Sequence, residues 1–180
     1  MFVLIAALLS ASESYRKDRN KAGLILLHGL GISLGPNEIC QSFARSSMMG
    51  LGLSEDTLVR CPKAKRRPVG VLPPTFVPGL QFARSWFNFN LMPALSVVSP
   101  VPGEDKQELM AALQVVEEEI EDLMRLGVPS ENIVVGGLSQ GGALTLWTAI
   151  HTRYKLGGFI PIVTWGAGCM HFYVSQRPCL

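Results

Sequence analysis

A single α/β domain with a mainly parallel sheet is predicted over residues 1–180 by three observations. Gly23-Leu24-Ile25-Leu26-Leu27 and Ile133-Val134-Val135 are short unbroken apolar runs, the form of strands buried on both faces. Between them Leu109, Leu113, Val116, Ile120 and Leu123 recur at steps of four and three, which draws one apolar stripe along a helix. Strands that alternate with helices in this order make crossover units and a parallel sheet. A chain of 180 residues, 48% of them hydrophobic, can bury such a core.

The elements follow in order. Met1 to Leu9 is an apolar run trailed by small residues. It reads as a first strand or as the core of a signal peptide over residues 1–12; no positive charge precedes it, and the strand is favoured. Gly23–Leu27 is the first firm strand, ending at His28-Gly29. Pro36 to Met49 carries no proline or glycine between its ends and predicts a helix. Leu58-Val59-Arg60-Cys61-Pro62 is a short strand stopped by proline. Residues 68–103 hold seven of the twelve prolines, too many for a regular element. That stretch also carries Phe76, Phe82, Trp86, Phe87 and Phe89, so it predicts a lid or binding loop lying on apolar surface. The striped helix begins near Glu104 and ends at Gly127 and Pro129. Gly141–Thr152 predicts a further helix and Phe159–Trp165 a last strand.

Composition narrows the partners. A formal charge of +2 argues against nucleic acid. Arg60, Lys63, Lys65, Arg66 and Arg67 nevertheless cluster, either as a solvated loop, the favoured reading, or as a peripheral contact with anionic lipid headgroups. The acidic run Glu117 to Asp122 reads as the wet face of the striped helix. Four cysteines at 40, 61, 169 and 179 show no C-x-x-C pair and no metal-ligand spacing. Reduced thiols in a cytoplasmic protein are therefore expected, with secretion as the alternative if residues 1–12 act as a signal; neither a metal nor a cofactor is expected.

The chemistry concentrates at Gly137-Leu138-Ser139-Gln140-Gly141, a G-x-S-x-G pentapeptide. It follows a β-branched strand and opens a glycine-then-apolar helix, the setting in which this pentapeptide forces its serine onto a sharp strand-to-helix turn. A serine hydroxyl is a weak nucleophile and needs a base, an orienting acid and donors for the oxyanion. The backbone N–H of Gln140 is one candidate donor. His28-Gly29-Leu30-Gly31 stands at the end of the first strand, where the second donor belongs, and makes the N–H of Leu30 the other. His28 itself reads as a structural side chain within that turn.

With these residues in place the chain resembles the acyl-protein thioesterase family, in the phospholipase/carboxylesterase branch of the α/β-hydrolases. Leu26-Leu27-His28-Gly29-Leu30-Gly31, Ser85-Trp86-Phe87, Gly127-Val128-Pro129 and Gly136-Gly137-Leu138-Ser139-Gln140-Gly141-Gly142-Ala143 carry the resemblance, which runs from Gly23 to Trp165. It implies an α/β-hydrolase fold and cleavage of thioesters or esters of long-chain acyl groups, on an acylated protein or a lysophospholipid. It further implies Ser139 as nucleophile, Leu30 and Gln140 in the oxyanion hole, and Trp86 and Phe87 against the acyl chain. Ile32 and Asn88 stand where the family has Asp.

The resemblance stops after Trp165, and residues 166–180 diverge. Proteins with this elbow take an acid and then a histidine from the chain beyond the serine. Here the last carboxylate is Glu131, and only His151 and His171 follow Ser139. His151 lies twelve positions along the same predicted helix, roughly 18 Å away at 1.5 Å per residue. The expectation is a form lacking the family's last strands and helix, with weak hydrolysis or none; a non-catalytic protein that binds an acyl lipid or a partner is the alternative.

Overall fold

The computed structural model describes residues 21–32, 56–69, 82–88 and 106–162. Four strands form one parallel sheet in the order β2-β1-β5-β6: β1 is Gly23–Leu27, β2 Leu58–Arg60, β5 Ile133–Leu138 and β6 Gly158–Ile162. The two apolar runs thus sit side by side at the centre, with Leu24 opposite Val134 and Leu27 opposite Gly137. Alternation along β1 sends Ile25 and Leu27 into the main core, while Leu24 and Leu26 join Val59, Val134 and Ile160 in a second cluster. A strand buried on both faces has no room for polar side chains. That is why its sequence shows no alternation.

Helix α1, Lys106–Arg125, buries Leu109, Leu113, Val116, Ile120 and Leu123, the five stripe residues, together with Ala112. Removing those side chains from water is worth on the order of 10 kcal/mol before chain entropy is charged. Leu126 and Gly127, the latter at φ 85°, close its end by donating to Leu123 and Met124 carbonyls. Helix α2, Gln140–His151, buries Ala143, Leu144 and Trp147 against the same core. Its buried Thr145 and Thr148 hydroxyls donate back to the Gly141 and Leu144 carbonyls at 2.9 and 2.8 Å, so neither is orphaned.

Several expectations shift. Inside the proline-rich stretch, β4 (Phe82–Arg84) pairs antiparallel with β3 (Arg66–Pro68). The prolines at 78 and 93 flank β4 without entering it, and two of its three partner residues, Arg66 and Arg67, precede the stretch that predicts a loop. The basic cluster is partly ion-paired rather than simply solvated: Arg60 Nε lies 3.7 Å from Glu119, and Arg67 bonds Glu108. The acidic run is correspondingly more than a wet face. Glu117 accepts from the Thr152 hydroxyl at 3.1 Å and the Arg153 N–H at 3.2 Å, and Glu121 from the Tyr154 hydroxyl at 2.7 Å. These bonds dock the end of α2 onto α1, an arrangement no local pattern announces.

Cys61 is disulfide-bonded, where reduced thiols were expected; its pairing depends on which cysteine the fold brings near, which spacing does not encode. The expected elements at Met1–Leu9 and Pro36–Met49, most of the 68–103 loop, residues 163–165 of the last strand, and the tail at 166–180 lie outside the described residues. No helix among the described residues is long and apolar enough to cross a membrane.

Candidate active site

Strand β5 runs directly into Ser139, which adopts φ 53° and ψ −114°, and α2 begins at the next residue. Among the described residues Ser139 is the only non-glycine with positive φ. Such backbone persists only where the surroundings over-determine it, at a cost on the order of 1–3 kcal/mol. Here the surroundings do. The Ser139 N–H donates to Ile162 at 2.9 Å and its carbonyl accepts from Ala143 at 3.0 Å.

The flanking glycines are steric requirements of the same turn. A Cβ on Gly137 would stand 2.3 Å from the Gly141 carbonyl carbon, and one on Gly141 2.2 Å from the Leu27 carbonyl oxygen. Both obstacles are backbone, which cannot rotate away. The pentapeptide therefore encodes the close approach of β5, α2 and the end of β1.

The loop after β1 folds against this turn. Gly29 is so near that a Cβ there would meet the Leu138 carbonyl oxygen at 3.3 Å and the Ser139 Cβ at 3.4 Å. Gly31, at φ 70°, donates its N–H to the Arg84 carbonyl at 3.0 Å. Leu30, half-buried between them, packs on the main core. The structure thus brings the Leu30 loop, Ser139 and the start of α2 together.

His28 is structural, as expected. Its Nε2 accepts the Ala64 N–H at 3.0 Å, so the ring is neutral with its proton on Nδ1, which donates to the Gly29 carbonyl at 2.8 Å. Burial holds the imidazole below its ordinary value of 6.5, the Gly29 bond opposing and Arg84 adding to the lowering. His151 is committed at the far end of α2, where Nδ1 bonds the Trp147 carbonyl at 3.0 Å and the ring stacks on the Trp147 indole. His171 lies outside the described residues.

Trp86 and Phe87, which the resemblance sets against the acyl chain, lie deep in the fold. Phe87 is 0% exposed and Trp86 3%, both inside the main core. They act as supports. The Trp86 indole N–H donates to the His28 carbonyl at 2.8 Å. What holds them is the Gln140 side chain, a role sequence reasoning missed because it considered only that residue's backbone. The fully buried carboxamide accepts the Trp86 N–H at 3.1 Å and donates to the Ser85 Oγ at 2.9 Å and the Phe87 carbonyl at 2.7 Å. Arg84–Phe87 is thereby a brace fastened to both loops that flank Ser139. A glutamine opening an otherwise apolar helix was the available signal. Of the two family departures, Ile32 is exposed, and the Asn88 N–H bonds the Glu108 carboxylate.

Strand–elbow–helix geometry on a parallel sheet, with a glycine-bearing loop at the end of the neighbouring strand, defines an α/β-hydrolase. The chain belongs to the phospholipase/carboxylesterase family, whose model matches residues 13–175. It is 33% identical over 155 residues to a rice (Oryza sativa subsp. japonica) protein named "Probable carboxylesterase", covering 86% of this chain and 53% of that one. It is 33% identical over 81 residues to acyl-protein thioesterase 1 of Cryptococcus neoformans, 45% of this chain and 33% of the relative. Its structure resembles that of Arabidopsis thaliana SOBER1 with a TM-score of 0.61 at 30% identity, over 81% of this chain and 62% of SOBER1. The chain thus spans about half the length of the rice relative and a third of the fungal one.

Proposed function

We propose that Ser139 is the nucleophile of a hydrolase that cleaves (thio)esters of long-chain acyl groups, on S-acylated protein or lysophospholipid. The observation that carries this is the Ser139 backbone, held at φ 53° between two glycines that admit no Cβ. In such a turn the serine Oγ attacks the acyl carbonyl and the carbonyl oxygen becomes an oxyanion. The N–H groups of Leu30 and Gln140 donate hydrogen bonds to that oxyanion, reinforced by the N-terminal end of α2. A general base, which the described residues do not supply, takes the Ser139 hydroxyl proton and returns it to the departing thiolate or alkoxide; it then deprotonates the water that releases the acid from the acyl-serine. The carboxylesterase and thioesterase names of the relatives support the reaction class.

A second reading keeps the fold without turnover, as an acyl-lipid or partner-binding protein. It is favoured by the commitment of His28 to the Gly29 carbonyl and Ala64 N–H, and of His151 to the Trp147 carbonyl, which leaves neither ring on the Ser139 hydroxyl. An active-site fluorophosphonate separates the two. Labelling that Ser139→Ala abolishes supports the hydrolase; an unlabelled, folded protein supports the binding protein. A cytoplasmic location is part of the first reading, and the Cys61 disulfide weighs against it, since such bonds persist chiefly in oxidising compartments. Non-reducing electrophoresis of protein taken from cells under a thiol-blocking reagent reads which holds.

A further inference from the structure

Between the β3–β4 pair and the second and third turns of α1 lies a cavity of about 130 Å³. Its floor is apolar, made by Ala64, Trp86, Ala112 and Val115. Its rim is basic, made by Lys63, Lys65 and Arg67. A water's share of liquid volume is about 30 Å³, so the space suits a group of several heavy atoms. Of the three rim cations only Arg67 has a carboxylate partner, Glu108. Among the described residues Lys63 and Lys65 form no ion pair, and both are exposed at the mouth.

We propose that this cavity binds a phosphate monoester: the phosphate between Lys63, Lys65 and Arg67, the attached carbon chain on the floor. Two ammonium groups and a guanidinium supply charge and a fork of N–H donors, the set that phosphate oxygens accept best. An inorganic anion would leave the floor unused, so the alkyl ester is the better match. The site shares no side chain with the Ser139 turn. It does share Trp86, whose indole bonds the His28 carbonyl and whose N–H bonds Gln140, so occupancy is felt at both loops around Ser139.

The test is a titration of the full chain with butyl phosphate and with inorganic phosphate, followed on the Trp86 indole N–H resonance. Butyl phosphate is expected to shift it saturably and to bind more tightly than inorganic phosphate. The K63E/K65E double variant should bind at least roughly tenfold more weakly, and Ala111→Leu, which fills the cavity from an exposed helix position, should do the same. Ser139→Ala should bind as the parent does, which separates this site from the hydrolase reading. Co-sedimentation with phosphatidic acid vesicles over phosphatidylcholine vesicles, lost in both cavity variants, identifies a lipid headgroup as the source. Soluble binding without co-sedimentation identifies a free phosphoester. No saturable shift, or vesicle binding lost in K63E/K65E but retained in Ala111→Leu, overturns the proposal.

Discussion

The Ser139 turn and the basic corner formed by β3, β4 and α1 are built on opposite principles. At the turn, backbone meets backbone: Gly137, Gly141 and Leu27 approach so closely that only hydrogen atoms fit where side chains would stand. At the corner, long side chains meet across open space: Arg67 on β3 reaches Glu108 on α1, and Arg60 at the end of neighbouring β2 reaches Glu119 on the same helix. Crowded backbone permits one arrangement and tolerates no substitution. Solvated charges can rearrange, which is why surface ion pairs contribute little to stability. Rigidity at the first and adaptability at the second suit covalent chemistry and ion binding respectively.

The largest way to break this contrast is Gly141→Ala. Its Cβ would overlap the Leu27 carbonyl, and we expect a loss of about 3 kcal/mol or more in urea unfolding. Next, Gln140→Leu should cost about 2 kcal/mol by the same measurement, because the Trp86 N–H loses its buried acceptor while the Phe87 carbonyl keeps the Ser85 hydroxyl at 2.6 Å. Ser139→Gly should move the other way, gaining about 1 kcal/mol as the φ 53° strain disappears, while any fluorophosphonate labelling is lost. A smaller stabilisation, or none, would mean that the turn is not strained.

His28 gives a pH-dependent test. Its folded-state pKa lies below the ordinary 6.5, so the unfolded chain takes up its proton first as pH falls. The stability this neutral ring contributes is present above pH 6.5 and fades as acidification proceeds toward the lowered folded value. His28→Gln should flatten that part of the stability–pH curve; an unchanged slope would locate the effect elsewhere. The smallest expected effect is at the corner. K63E/K65E should leave the unfolding free energy within about 0.5 kcal/mol of the parent, since both side chains are exposed.

What could be read in advance divides along the same line. The parallel sheet was legible because buried strands are uniformly apolar, and α1 because its stripe repeats every turn. The elbow was legible because steric exclusion leaves glycine as the only answer at 137 and 141. The β3–β4 pair was not, since its partners are joined by sequence outside any local period. Nor was the propping role of Trp86 and Phe87 beneath the Ser139 loops, because it depends on the Gln140 side chain more than fifty residues away in sequence.

By itself, then, the sequence determined the sheet, the helix stripe, the strained serine and the membership that follows from them. Each is written in neighbouring residues, where periodicity and excluded volume act. Only the tertiary structure decided that His28 is neutral and fully bonded, that Gln140 fastens the Arg84–Phe87 brace, and that Lys63 and Lys65 rim a cavity with an aromatic floor. Those are facts of hydrogen bonds and charges between segments far apart in the chain. Their partners are chosen by the packing of the sheet and helices, which no local window contains.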